Sequence, residues 1–228
     1  MTQMDLLDFA RGPALWFSLL VLFAGSAWRL IAIIRLGSKP DLSEPRSGRR
    51  FVAALRGISA RMIPRKEFRQ GGRLGAISGY VYHLGLAAIA FAYLPHILFV
   101  ERMTGMAWPA LPEPLVYLAV GPTFIALLMV LLQRLADPVL HLLSGFDDYF
   151  SWFVVFLPLL TGMAALSGLS PKPIAGGAPL YPLPVAIHLL SVELLFLWLP
   201  FGKLAHAFLV FMSRGVTGVA LGRKGAML

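Results

Sequence analysis

Five apolar stretches limit what this sequence can fold into: residues 13–34, 74–100, 114–132, 149–167 and 184–212. A helix needs roughly 20 apolar residues to cross the hydrocarbon of a bilayer, and each stretch supplies about that many. Lipid offers the backbone no water to bond, so helix is the element expected in each. The expected fold class is therefore all-α, an integral membrane bundle of five transmembrane helices in which residues 1–228 form a single membrane domain. Composition agrees, with 58% hydrophobic residues and 14% charged, where a soluble domain is nearer ~45 to 50% apolar. Asp5 and Asp8 stand where a secretory signal would carry basic residues, and no A-x-A-like site follows, so the first stretch is expected to be retained.

Lys and Arg number 20 against 11 Asp and Glu, a net charge of +9. In a soluble protein that excess would suggest nucleic acid as a partner, but its placement argues against it. The loop 35–73 holds Arg35, Lys39, Arg46, Arg49, Arg50, Arg56, Arg61, Arg65, Lys66, Arg69 and Arg73, while the second and fourth connections carry only Arg102 and Lys172. The positive-inside rule makes this basic loop cytoplasmic, with the N-terminus outside and, after five crossings, the C-terminus cytoplasmic. Lys203, Arg214, Arg223 and Lys224 agree, and membrane lipids replace nucleic acid as the expected partner. Within the loop, "RRFVAALRGISARM" sets Phe51, Leu55, Ile58 and Met62 at helical spacing among Arg49, Arg50, Arg56 and Arg61. That pattern suits a short amphipathic helix in the headgroup layer, or a dock for a partner subunit. The outer segments "WPALPEP" and "SPKPIAGGAPLYPLP" read as stiff connectors.

The absence of cysteine excludes disulfides, Cys-ligated iron–sulfur clusters and thioether-attached haem. No repeat and no Gly-rich phosphate loop is visible. The histidines carry the chemistry. His83 and His96 lie in the second apolar stretch and His188 and His206 in the fifth, where a titratable side chain is costly enough to suggest function. His188 and His206 stand eighteen residues apart, which in a continuous helix is five whole turns and about 27 Å, on one face. Alternating crossings would set His83 beside His206 near the inner surface and His96 beside His188 near the outer one. Each pair can hold one haem iron from both sides. His83 and His96 are thirteen residues apart, a net rotation of about 220° in a straight helix, so a kink at Pro95 is expected to bring them into line. Non-haem metal binding, proton transfer and helix-to-helix hydrogen bonding are the other readings of these side chains. His141, after "DPVL", is expected at the surface.

The segment "HLLSVELLFLWLPFGKLAH", with Pro200, Phe201, Gly202 and Lys203 leading to its second histidine, resembles the last helix of the respiratory nitrate reductase gamma subunit, a dihaem membrane cytochrome b. Similarity extends to "GSAWR" at Gly25 to Arg29, "YHLG" at Tyr82 to Gly85, and "DDYFSWFVVFLPLLTG", where Asp148 and Gly162 hold family-like positions. The resemblance implies two haem b groups, with His83 and His206 on the inner iron and His96 and His188 on the outer. It also implies a quinol-oxidising electron-transfer subunit in a bacterial or archaeal cytoplasmic membrane. Quinone or quinol would be its diffusible substrate, and a cytoplasmic iron–sulfur subunit with a further catalytic subunit its partners. The family often spaces its first two ligands more closely, with Gly before the second, where this chain has Pro95. With the long basic loop and "DDYFSW", this draws the chain toward relatives associated with sulfite reductase and heterodisulfide-reductase-like modules, and leaves the terminal substrate open. The competing expectation is a haem-free transporter or assembly protein using the histidines for protons or packing.

Three further side chains bear on these readings. Arg29, in the first stretch, is expected to meet a haem propionate or to snorkel to the surface, and Lys203 to meet a propionate or to act as a positive-inside anchor. Glu193, mid-stretch between Val192 and Leu194, is expected to sit protonated and to exchange protons with a quinone, or to bond a neighbouring helix.

Overall fold

The computed structural model describes residues 2–37, 41–42, 44–46, 48–60, 62, 72–166 and 182–226. Among them there is no strand; the fold is all-helical. The first helix, α1 (Gln3–Phe9), runs through a π turn (Ala10–Ala14) into α2 (Leu15–Arg35). The rod begins ten residues before the start expected at residue 13, because Thr2 and Asp5 form a capping box that closes its N-terminus. Pro13 sits inside the π turn; having no N–H to give, it is accommodated there by a widened turn rather than a stop. Then follow α3 (Arg50–Ala60), α4 (Arg73–Ala92), α5 (Leu94–Thr104), α6 (Glu113–Ala136), α7 (Pro138–Leu143), α8 (Phe146–Leu166), α9 (Pro182–Trp198) and α10 (His206–Arg223).

Among the described residues five helices are long and apolar enough to cross a membrane: Gln3–Arg35, Arg73–Ala92, Glu113–Ala136, Phe146–Ala165 and Lys203–Arg223. The number matches the expectation, but its last member does not. The stretch 184–212 is not one helix. It divides into the shorter apolar α9 and, after a turn at 199–202 and a 3₁₀ turn (Lys203–Ala205), the separate α10. Pro200 supplies the physical reason, since it cannot donate the backbone bond that would carry α9 onward. The five-turn, 27 Å relation between His188 and His206 assumed a continuous helix and falls with it. The second stretch also divides, at Tyr93, whose extended backbone (φ −84, ψ 124) separates α4 from α5 just ahead of Pro95. This is the interruption that Pro95 leads one to expect.

Two compact units are formed, one from Met1–Arg65 with Phe153–Leu228, the other from Lys66–Trp152. In the first, α1 lies on α9: Leu7, Ala10 and Ala186 are fully buried, with Leu6, Val185, Leu189 and Leu190 packed around them. The α3 helix lies on α10 at glycine contacts; a Cβ on Gly57 would stand 2.5 Å from Gly218 Cα and 2.6 Å from the Arg214 carbonyl oxygen. Arg46 N–H donates to the Arg223 carbonyl at 2.9 Å, and the Arg223 guanidinium to the Asp41 carbonyl at 2.7 Å, tying the preceding loop to the end of α10. Trp16, Phe17, Leu20, Phe23 and Trp28 of α2 are exposed, an outward apolar face that suits lipid and not water. Lys39, Arg61, Arg65, Lys66 and Arg69 of the basic loop, and Lys172 with most of "SPKPIAGGAPLYPLP", lie outside the described residues.

In the second unit α4 packs on α6. Gly85 is the contact point, for a Cβ there would fall 1.7 Å from Thr123 Oγ1. Asp148 caps the start of α8 by accepting from Gly145 N–H at 3.0 Å and pairs with Arg134 at 2.9 Å; Trp152 Nε1–H donates to the Leu127 carbonyl at 2.8 Å. Asp148 thus has an architectural role at the start of α8. Gly85→Ala is expected to destabilise the chain by about 1 to 3 kcal/mol through overpacking. Thermal unfolding in detergent checks it, and Thr123→Ala in the same chain should recover part of the loss.

Candidate functional site

The end of α4 explains the placement of His96. A helix leaves its last four carbonyls without intrahelical donors, here those of residues 89–92. His96 Nδ1 lies 2.8 Å from the Ile89 carbonyl oxygen, Trp108 Nε1–H donates to Phe91, and Leu111 N–H donates to Ala92 at 2.9 Å. Phe91 is the carbonyl that Pro95 would have served had it an N–H, and Trp108 of the "WPALPEP" segment takes that role. His96 is half-buried and meets Tyr93 edge-on with ring centroids 5.3 Å apart. One helical segment earlier, His83 Nδ1 lies 2.7 Å from the Gly79 carbonyl oxygen, and the exposed ring stacks on Tyr82 with centroids 4.1 Å apart.

The first unit holds the other pair of histidines. His188 Nδ1 lies 3.2 Å from Thr161 Oγ1 of α8. Thr161 Oγ1 is also 2.9 Å from the Leu157 carbonyl oxygen and 2.8 Å from Ser191 Oγ, and Ser191 Oγ is 2.6 Å from the His188 carbonyl oxygen. Thr161 has one proton and the Leu157 and Pro158 carbonyls and Ser191 Oγ within reach of it, and its oxygen can accept from His188 Nδ1 when that nitrogen carries the proton. Gly162 makes the space: a Cβ there would stand 3.1 Å from His188 Cε1. His206 opens α10 with its Nδ1 2.8 Å from the Lys203 carbonyl oxygen.

A common feature emerges. A carbonyl oxygen only accepts, so a hydrogen bond at Nδ1 of His83, His96 or His206 requires the proton to be there, whereas the Thr161 hydroxyl can serve His188 Nδ1 in either tautomer. With Nδ1 protonated, the lone pair of the neutral ring lies on Nε2. Fixing Nδ1–H on an oxygen of the protein is how metal-binding histidines have their tautomer and ring orientation set. Among the described residues no three His, Asp or Glu side chains gather.

Next to His206 an open groove of about 480 Å³ is lined by Arg29, Lys203 and Arg214 together with apolar Leu209 and Val210. It brings together three residues selected from sequence, His206, Arg29 and Lys203, and adds Arg214. Arg29 Nη1 donates to the carbonyls of Pro200 (2.7 Å), Phe201 (3.1 Å) and Gly202 (3.5 Å), so it caps the interruption between α9 and α10. Gly25, one turn before it, lets Pro200 approach α2, since a Cβ there would be 3.0 Å from Pro200 Cβ. The "GSAWR" and "PFGK" segments are thus two sides of one contact. Arg29→Met is expected to cost about 1.5 to 3 kcal/mol, the range for hydrogen bonds to a charged group; a thermal melt that leaves the midpoint unchanged would contradict the capping role.

Glu193 is buried, at 4% exposure, and its Oε1 has no hydrogen-bond partner among the described residues. It shares the α9 face of Ala186, Leu189 and Leu190, the face turned to α1. His141 is exposed on α7, 3.4 Å from the Tyr149 hydroxyl, as expected of a surface residue. Thr161 and Ser191 were not singled out from sequence. Hydroxyls in apolar helices usually back-bond to their own carbonyls, and only the crossing of α8 and α9 reveals their histidine.

The described residues therefore define an all-helical protein with five helices fit to cross a membrane, with four histidines whose Nδ1 lies on a protein oxygen. The chain is similar along nearly its whole length to a curated protein of Nitratidesulfovibrio vulgaris (strain Hildenborough) named simply "Protein", at 29% identity over 230 residues, 96% of this chain and 95% of the relative. No family model and no solved structure matches the chain.

Proposed function

We propose that this chain is a dihaem membrane cytochrome b that moves electrons between the quinone pool and a cytoplasmic iron–sulfur subunit. The single observation that carries the reading is shared by His83, His96, His188 and His206: each has Nδ1 within hydrogen-bonding distance of a protein oxygen. Bound haem would supply a one-electron couple. The chain's own contribution is to supply imidazole ligands and to keep their rings oriented through Gly79, Ile89, Thr161 and Lys203. In this reading the axial pairs are those the resemblance implies, His83 with His206 and His96 with His188. The basic loop 35–73 lies on the cytoplasmic side, where a negatively charged partner would meet it, and the N-terminus outside. Lys203 and Arg214, in the groove beside His206, offer charge to propionates. Glu193 exchanges protons with quinone or quinol, a role supported by its buried Oε1.

The test is reduction of the purified chain by a menaquinol or ubiquinol analogue, followed in the b-type absorption bands. The reading expects the bands to appear with quinol, and Glu193→Gln to slow that reduction about 10-fold or more, the scale of a lost general acid or base. Bands that respond to dithionite but to neither quinol would remove the quinone part of the proposal.

A further inference from the structure

The α3 helix has three faces, and one of them packs on α10. At 100° per residue, Ala53, Ala54, Gly57 and Ile58 form the first face, and this is the one laid on α10; Gly57 is buried, and a Cβ on Gly215 would stand 3.8 Å from both Ala54 Cβ and Ile58 Cδ1. Beside it Phe51 and Leu55 form an apolar ridge that α10 does not cover, 75% and 50% exposed. Beyond the ridge Arg49 and Arg56 share the third face. The amphipathic pattern of the sequence therefore did not serve packing. What packs is the small-residue face, and Ile58 leaves the apolar stripe to join it.

We infer that the Phe51–Leu55 ridge of α3 is seated in an anionic membrane surface, with the neighbouring arginines on the lipid phosphates. Three observations select this occupant. The ridge is fixed by backbone-close glycine contacts to α10, itself apolar and long enough to cross a membrane, so it is held beside a helix with an affinity for lipid. Arginines flank it, and residues 48–62 contain no Asp or Glu, so the charge complements anionic headgroups and not a basic protein face. Phe and Leu on such a ridge enter the acyl boundary while arginine stems reach back to the phosphates. This inference does not depend on haem.

The chain has no cysteine, so single cysteines can be placed cleanly. Full-length protein carrying Phe51→Cys, Leu55→Cys or, on the arginine side, Ala60→Cys would be spin-labelled and reconstituted into phosphatidylglycerol–phosphatidylcholine vesicles. Collision with oxygen, which concentrates in lipid, and with a water-soluble nickel chelate would then be compared. Labels at 51 and 55 are expected to be severalfold more accessible to oxygen than to nickel, with the reverse at 60. In pure phosphatidylcholine, in high salt, or with Arg56→Gln added, nickel access at 51 and 55 should rise. Equal nickel access at 51, 55 and 60 in anionic vesicles would overturn the proposal. So would shielding that appears only when a soluble partner protein is added, which would make the ridge a protein dock. Shielding that ignores lipid charge and salt would overturn the phosphate contact.

Discussion

Replacing Gly57 with valine is expected to separate α3 from α10. The atoms a Cβ would strike are backbone, Gly218 Cα at 2.5 Å and the Arg214 carbonyl oxygen at 2.6 Å, and backbone inside a helix cannot rotate away as a side chain can. Overpacking a yielding site costs about 1 to 3 kcal/mol; here, with two helix backbones forced apart, about 3 kcal/mol or more is expected. The separation can be read directly. A Cβ on Gly215 would lie 3.8 Å from Ala54 Cβ, a spacing typical of a disulfide. The pair Ala54→Cys with Gly215→Cys should therefore oxidise to an intramolecular bridge in the otherwise cysteine-free chain, and Gly57→Val should suppress it. A bridge that forms equally well with valine at 57 would show that the close approach is not what holds the helices together.

Thr161→Val is the second large effect, and it separates a ligand's orientation from its presence. Valine keeps the shape of threonine but cannot accept from His188 Nδ1–H, and it breaks the link to Ser191. Loss of such a supporting bond typically weakens metal binding 10- to 100-fold. Under the proposed function the variant should fold, retain the haem that does not use His188, and lose the other on dilution. Thr161→Ser, which restores the acceptor, should rescue it. His188→Ala should remove the same haem outright. If Thr161→Val keeps its full haem complement through dialysis, the Thr161 hydroxyl does not position a ligand.

How much of this was visible in the sequence differs from feature to feature. The helices were, because apolar length in a bilayer leaves the backbone little choice. The interruption near Pro95 was also legible, since a missing N–H leaves a local mark. The interruption at Pro200 was read past: the eighteen-residue spacing of His188 and His206 suggested an unbroken face, while the three carbonyls that make the break tolerable are capped by Arg29, 171 to 173 residues away in the chain. Long-range capping leaves no local pattern. The same holds for Thr161, whose role exists only because Gly162 lets α9 bring His188 against α8. In α3 the pattern was clear but its use was not, as a hydrophobic stripe does not reveal that glycine and alanine will make the contact.

The measurement that tests the central claim most directly is the reduced-minus-oxidised absorption spectrum of the purified full-length chain, with haem counted per polypeptide. The account predicts b-type bands and two haems per chain, lowered to one by His188→Ala or by His206→Ala. A chain that stays folded and colourless after reconstitution with protohaem would contradict it.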